Sequence, residues 1–233
     1  NNENVKPEQL NDFELGWRHK KGNFSFNANG YLMLYNEQLV LTGQINDVGA
    51  PIRNNSGESY RLGLELEAVI PIIPQVTLQP NLALSANRNR ETVVSLNGEL
   101  INLGATDIAF SPNMVAANAI VYQPMKNLQM SLLSKFVGEQ FMSNTENADS
   151  KLDSFFVNDF NITYTIETKG VFKSIVFTGL VNNILNEKYV ANGFFGSFDF
   201  EDNTSPTGVG TGFFSGFYPQ ATTNFLVGVT LNF

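Results

Sequence analysis

Three stretches of this chain alternate large apolar and polar side chains for longer than a globular strand requires. From 24 to 35, Phe24, Phe26, Ala28, Gly30, Leu32 and Leu34 fall on one side, and Ser25, Asn27, Asn29, Tyr31, Met33 and Tyr35 on the other. From 59 to 68, Tyr60, Leu62, Leu64, Leu66 and Ala68 oppose Ser59, Arg61, Gly63, Glu65 and Glu67. From 76 to 88, Val76, Leu78, Pro80, Leu82, Leu84 and Ala86 oppose Thr77, Gln79, Asn81, Ala83, Ser85 and Asn87. A period of two is the signature of a β-strand with unlike faces. Ordinary strands run to roughly five or six residues, whereas a strand crossing a bilayer at a tilt needs roughly 9–11. The apolar faces of these runs, up to Ala86 in the third, carry no Asp, Glu, Lys or Arg, while Arg61, Glu65 and Glu67 share the opposite face of one of them. A charge facing lipid at the midplane costs about 2–4 kcal/mol, and one facing a wet lumen costs little. This partition predicts the wall of a membrane β-barrel.

Weaker alternation completes about nine strands. Phe13, Leu15 and Trp17 alternate with Glu14, Gly16 and Arg18; Val115, Ala117, Ala119 and Val121 alternate less cleanly with Ala116, Asn118 and Ile120. Leu128, Met130, Leu132, Ser134 and Phe136 make one face of the next, and 156–166, 174–182 and 222–233 follow. Trp17, Tyr60 and Tyr164 sit on apolar faces, as an interfacial aromatic girdle requires. No helix is predicted. The connections alternate short and long: 20–22, 71–75, 123–127 and 168–172 are short, and 36–57, 89–107, 138–153 and 190–216 are long. Outer-membrane barrels segregate their turns in this way, with short periplasmic turns and long extracellular loops. A β-sandwich has no reason to do so. The phase puts residue 233 on the periplasmic side.

The chain ends on Phe225, Val227, Val229, Leu231 and Phe233, all on one face of the last strand. Termini of soluble domains fray and tolerate polar residues; a barrel's closing strand faces lipid instead.

Composition narrows the function. There is no cysteine, which excludes a disulfide scaffold, and a single histidine, His19, beside Lys20-Lys21, which argues against a histidine metal site or a Ser-His-Asp triad. The net charge of −8 argues against nucleic acid as a partner. Mean hydropathy is −0.10, as expected when lipid-facing and lumen-facing residues cancel. No run approaches a membrane helix, and no N-terminal signal peptide precedes the first strand. For an outer-membrane protein this means either that the signal was removed or that the chain lacks its natural beginning. No catalytic constellation, metal site or cofactor motif stands out, so the chain is not expected to be an enzyme.

Four stretches carry a family resemblance: Lys6-Pro7-Glu8 with Phe13-Glu14-Leu15-Gly16; residues 55–65, Asn-Ser-Gly-Glu-Ser-Tyr-Arg-Leu-Gly-Leu-Glu; residues 182–189, Asn-Asn-Ile-Leu-Asn-Glu-Lys-Tyr; and Tyr218-Pro219-Gln220 leading to Phe233. With them the chain resembles the C-terminal part of a TonB-dependent outer-membrane receptor. The resemblance implies an all-β, antiparallel up-and-down transmembrane β-barrel segment, with about nine strands of a barrel of about 22. Residues 1–233 would be its C-terminal portion, with the plug domain and the N-terminal strands absent. It further implies energy-coupled import of a scarce nutrient (iron–siderophore, haem or cobalamin type) across the bacterial outer membrane. The partners would be TonB and its inner-membrane complex, the barrel-assembly machinery, outer-membrane lipid and a small-molecule ligand.

Within this frame Phe194, Phe195, Phe198, Phe213 and Phe214, in a Gly- and Phe-rich loop over 190–217, are the candidate ligand-binding residues. Loops of that length are commonly functional. Asp199, Glu201 and Asp202 beside them read as solvated. Phe225, Val227, Val229, Leu231 and Phe233 are the candidate assembly signal. Arg61, Glu65 and Glu67 are candidates for facing the lumen or plug. The 182–189 stretch reads as a turn stabilised by asparagine side chains rather than as a ligand site. Two alternatives stand beside this reading: a small self-contained outer-membrane barrel with a structural or adhesive role, and a soluble all-β binding module.

Overall fold

The structure is a computed structural model that describes residues 6–45, 51–55 and 57–233. Among the described residues nine long strands, with the short Thr106–Asp107 added beside the fourth, form one antiparallel sheet: β1 (Gln9–Lys21), β2 (Phe24–Asn36), β3 (Glu58–Ile73), β4 (Val76–Asn89), β5 (Met114–Met125), β6 (Leu128–Val137), β7 (Phe155–Glu167), β8 (Ser174–Asn182) and β9 (Asn224–Asn232). Each pairs with its neighbour in chain order, the up-and-down meander that the alternation predicts. The edges β1 and β9 do not pair with each other, so the barrel is not closed within this chain.

Register carries the apolar face unbroken across the sheet. Leu15 pairs with Gly30, Gly30 with Leu64, and Leu64 with Leu84. At the other edge Tyr164 pairs with Phe177, and Phe177 with Val229. The opposite face is concave. Glu14, Arg18, Asn27, Asn29, Glu65 and Glu67 line an open hollow of about 880 Å³. Polar side chains therefore face the lumen, and the convex apolar face is left for lipid. Trp17 and Tyr164 lie on the convex face near the short-turn end, and Tyr60 near the long-loop end.

The weak alternation of β5 resolves in an unexpected sense. Val115, Ala117, Ala119 and Val121 pair with Ala83, Asn81, Gln79 and Thr77, which puts them on the luminal face. Met114, Ala116, Asn118, Ile120 and Tyr122 face outward. Asn118, Ser134 and Asn158 are then directly opposite one another on the convex face, where the Ser134 hydroxyl donates to Asn158 Oδ1 at 2.7 Å. Arg88 also has the outward parity, but at the long-loop end, where it is ion-paired with Asp107 at 3.0 Å and Glu146 at 3.2 Å.

The short connections are as expected: two residues between β1 and β2, β3 and β4, and β5 and β6, and six between β7 and β8. The long ones are less loop-like. Each contains its own hairpin: Leu39–Ile45 with Pro51–Asn55, Val93–Leu96 with Glu99–Asn102, Gln140–Phe141 with Lys151–Leu152, and Val190–Glu201 with Val209–Pro219. Residues 46–50 of the first, and Ser56 of the 55–65 stretch, lie outside the described residues.

Candidate functional site

The segment expected as an irregular aromatic loop is a two-stranded ribbon, and its composition follows from its register. Phe194 faces Gly216, Phe198 faces Gly212, Phe200 faces Gly210, Phe214 faces Gly196, and Phe217 faces Gly193. The remaining two, Phe195 and Phe213, face Ser215 and Ser197. Every phenylalanine of the ribbon thus lies opposite a glycine or a serine. The Phe198 ring covers Gly212 so closely that a Cβ there would come within 2.5 Å of it, and Phe194 and Phe200 cover Gly216 and Gly210 in the same way. A ring laid over a cross-strand glycine restores the contacts that glycine lacks. In the wall, Tyr31 lies over Gly63 by the same device. The signal was present in the sequence as Phe194-x-Gly196-x-Phe198-x-Phe200 and Gly210-x-Gly212-x-Phe214-x-Gly216. It is masked in the sequence because a glycine in isolation reads as loop.

The ribbon has two unlike faces. On one, Phe195 stacks on Phe213 at 5.7 Å and 19°. At the root of that face Gly193 lies against Gly216 O and Met142. On the other, a chain of tilted ring contacts joins Tyr218 to Phe194 at 6.1 Å, Phe194 to Phe214 and Phe214 to Phe198 at 6.3 Å, and Phe198 to Phe200 at 6.2 Å. These five rings stay 36–53% exposed. Gly193→Ala is expected to unseat the ribbon by roughly 1–3 kcal/mol, because its Cβ would meet a backbone carbonyl and the Met142 sulfur together. Limited proteolysis of the full-length protein reads this as faster cleavage within 190–219. Wild-type resistance would contradict the packing described.

The 182–189 stretch forms the root of the ribbon. Asn183 is 4% exposed and has a φ of +50°, and Asn186 has a φ of +55°. The Asn183 side chain donates to Glu187 O at 2.8 Å and to Ala221 O at 3.3 Å, and accepts from Glu187 N at 2.9 Å. Its own N–H donates to Asp159 at 2.7 Å, and its carbonyl accepts from the Thr223 hydroxyl at 2.7 Å. One asparagine thus ties β7, β8, the turn and the approach to β9 together, as the turn reading expects. From this root Tyr189 stacks on Phe155 at 4.4 Å, and Ala191, like Val115, packs against the cluster of Val137, Phe155 and Val157. All four wall residues have the luminal parity, so the ribbon folds inward over the mouth. Burial raises the pKa of the Tyr189 phenol, with the charge of Asp159 adding to it.

Other long connections hold the ribbon there. At the Asn97-Gly98 hairpin turn, Asn97 N donates to Thr211 Oγ1 at 2.8 Å and Asn97 Oδ1 accepts from Thr211 N at 2.9 Å. The connections before β5 and before β7 are clipped to each other by Arg88, Asp107 and Glu146. Burial raises the Asp107 pKa against the pull of Arg88. Asn89, fully buried, donates to Thr106 and Asn144 beneath them. At the ribbon tip, hydrogen bonds from the Thr204 side chain and backbone hold Asp202 below the ordinary carboxylate range. Among the described residues no group of three or more His, Cys, Asp or Glu is placed to hold a metal ion.

Arg61, Glu65 and Glu67 all have the luminal parity. Glu65 and Glu67 line the hollow, Glu67 accepts from Asn27 at 3.4 Å, and Arg61 is held by Asn87 at 3.3 Å and Ser111 at 3.0 Å. On β9 Phe225, Val227, Val229 and Leu231 share the convex face and are exposed, and the Phe233 ring lies 4.9 Å from Phe172.

A nine-stranded wall, apolar outside and polar inside, with its long connections gathered over one end, defines a transmembrane β-barrel segment. Residues 1–184 match the family model described as TonB dependent receptor-like, beta-barrel, and the chain belongs to that family. A search of curated proteins found no match. Among solved structures the chain is similar to the ferric-catecholate import receptor Fiu of E. coli K12 (15% identity, TM-score 0.64, covering 98% of this chain and 28% of Fiu). It is similar also to the copper transporter OprC (16%, 0.69, 97% and 32%) and to BauA, the ferric preacinetobactin receptor of Acinetobacter baumannii (15%, 0.65, 97% and 30%). The chain thus spans about a third of the length of these structures, and at such identities the likeness is one of fold.

Proposed function

We propose that residues 1–233 form the C-terminal portion of the barrel of a TonB-dependent receptor and contribute wall and extracellular loops to the import of a scarce nutrient across the bacterial outer membrane. The cargo is of the iron–siderophore, haem or cobalamin type. The observation that carries this reading is the family match over 1–184 together with an aromatic ribbon folded inward over the mouth of the wall. In this reading the long connections are extracellular and the short ones periplasmic. Lysines at the periplasmic end (Lys20, Lys21, Lys126, Lys169 and Lys173) suit contact with anionic lipid headgroups. TonB and its inner-membrane complex act through the part of the receptor that precedes this barrel portion. Glu65, Glu67 and Arg61 face the plug or line the path beside it. The exposed rings of Phe194, Phe198 and Phe214 meet the ligand, while Phe195 and Phe213 stack on the opposite face, Phe213 itself half-exposed.

Growth tests this reading. Cells that depend on the full-length receptor for iron, haem or cobalamin should grow on the cognate compound only while TonB is intact. Growth independent of TonB would overturn the import reading in favour of a passive or adhesive barrel. Phe225, Val227, Val229, Leu231 and Phe233 are proposed as the signal read by the barrel-assembly machinery. Phe233→Ser should lower the amount of heat-modifiable, surface-exposed receptor several-fold without changing its synthesis. Undiminished surface receptor would refute that role.

A further inference from the structure

We propose that, within the cargo types named above, the exposed aromatic face of the ribbon docks complexes with an apolar or aromatic body carrying positive charge, and disfavours anionic chelates. This deepens the import reading and rests on it for the location of the face. The face is a sheet surface of five half-exposed rings, Tyr218, Phe194, Phe214, Phe198 and Phe200, in tilted contact over its length, and the first strand of the ribbon also approaches Leu39–Ile45. Four of the five are phenylalanine, which offers no hydrogen-bond donor to an anion or a hydroxyl-rich sugar. A ring face does attract cations, through its quadrupole.

The surrounding charge selects in the same direction. No Lys, Arg or His occurs from 189 to 233, whereas Asp199, Glu201 and Asp202 border the ribbon on its other face and at its tip. The connections 90–113, 138–154 and 183–223 together carry 11 acidic and 3 basic residues, a net −8 equal to that of the whole chain. Two of those three cations are already engaged, Arg90 with Glu58 at 2.7 Å and Lys151 with Glu139 at 2.6 Å. Asp202 is held ionised by Thr204. Arg88, at the same end but outside these connections, is committed to Asp107 and Glu146, so a polyanionic complex approaching this mouth still meets a surplus of like charge. A cation is drawn in, and the field concentrates it at the rings.

The test uses the full-length receptor in detergent and two small water-soluble probes with the same ring and opposite charge, benzyltrimethylammonium and benzylsulfonate, titrated by ligand-observed NMR. The cation should bind about tenfold more tightly at low salt, and the preference should shrink at high salt. The triple change Asp199→Asn, Glu201→Gln, Asp202→Asn should bring the two probes close to equal affinity. Phe198→Ser with Phe214→Ser should weaken the cation several-fold, while proteolysis of 190–219 reports whether the ribbon remains folded. Equal or tighter binding of the sulfonate overturns the proposal, as does binding of neither probe or cation binding untouched by the phenylalanine changes. Because this readout does not use TonB, a receptor that keeps the charge preference but fails the growth test would overturn the import reading alone.

Discussion

Replacing Leu64 by Arg is expected to destabilise the folded barrel by about 2–4 kcal/mol, whereas the same residue at the next position, Glu65→Arg, should change stability by only about 0.5 kcal/mol or less. The two positions are adjacent in β3 but point to opposite media. Leu64 is 41% exposed on the convex face, with Gly30 and Leu84 as its cross-strand neighbours. Glu65 lines the luminal hollow beside Glu67 and Asn81. An arginine on the convex face must leave water or thin the bilayer around it. On the luminal face it keeps its hydration and gains nearby carboxylates. Denaturant unfolding of the full-length receptor from lipid vesicles measures both. Equal costs for the two variants would mean that the convex face is not the lipid face.

Asn183→Ala is the second large effect, and it should be confined to the ribbon. The change removes three side-chain hydrogen bonds in a site that is 4% exposed, and puts a Cβ-bearing residue without a polar side chain at φ +50°. Loss of the buried bonds together with the left-handed backbone amounts to about 2–4 kcal/mol. Asn183→Gly separates the two terms, since it tolerates the backbone angle and lacks only the bonds. Hydrogen exchange should then report loosening of 190–219 and of the turn in both variants, more in the alanine. Protection of β5, β6 and β7 should stay as in the wild type. If the wall strands lose protection as well, the root turn is part of the barrel's own folding unit rather than a hinge for the ribbon.

The nine wall strands were legible because lipid and lumen impose opposite polarity on alternate residues, and that demand is written locally. All nine occur, in chain order and close to the expected limits. The faces of β2, β3, β4 and β9 are those the alternation predicts. Reading was weakest in β5, where both faces are built mainly from small apolar residues. There only pairing with Gln79, Asn81 and Ala83 decides that Val115, Ala117 and Ala119 face inward and Asn118 outward.

The ribbon shows the complementary limit. Its glycines suggested an irregular loop, because a glycine in isolation reads as conformational freedom. In the fold each is half of a cross-strand pair whose other half is a phenylalanine ring, a relation between residues up to 24 positions apart. The turn role of Asn183 was expected from residue type, but its bonds to Asp159, Ala221 and Thr223 reach across three elements. The sequence by itself determined that this chain is a lipid-facing wall with long connections at one end, since polarity alternation and connection length are local properties. Only the tertiary structure decided that the aromatic connection is a ribbon turned inward over the mouth. That outcome depends on where Tyr189, Ala191, Met142 and Asn97 meet their partners, and such meetings are set by packing between distant segments.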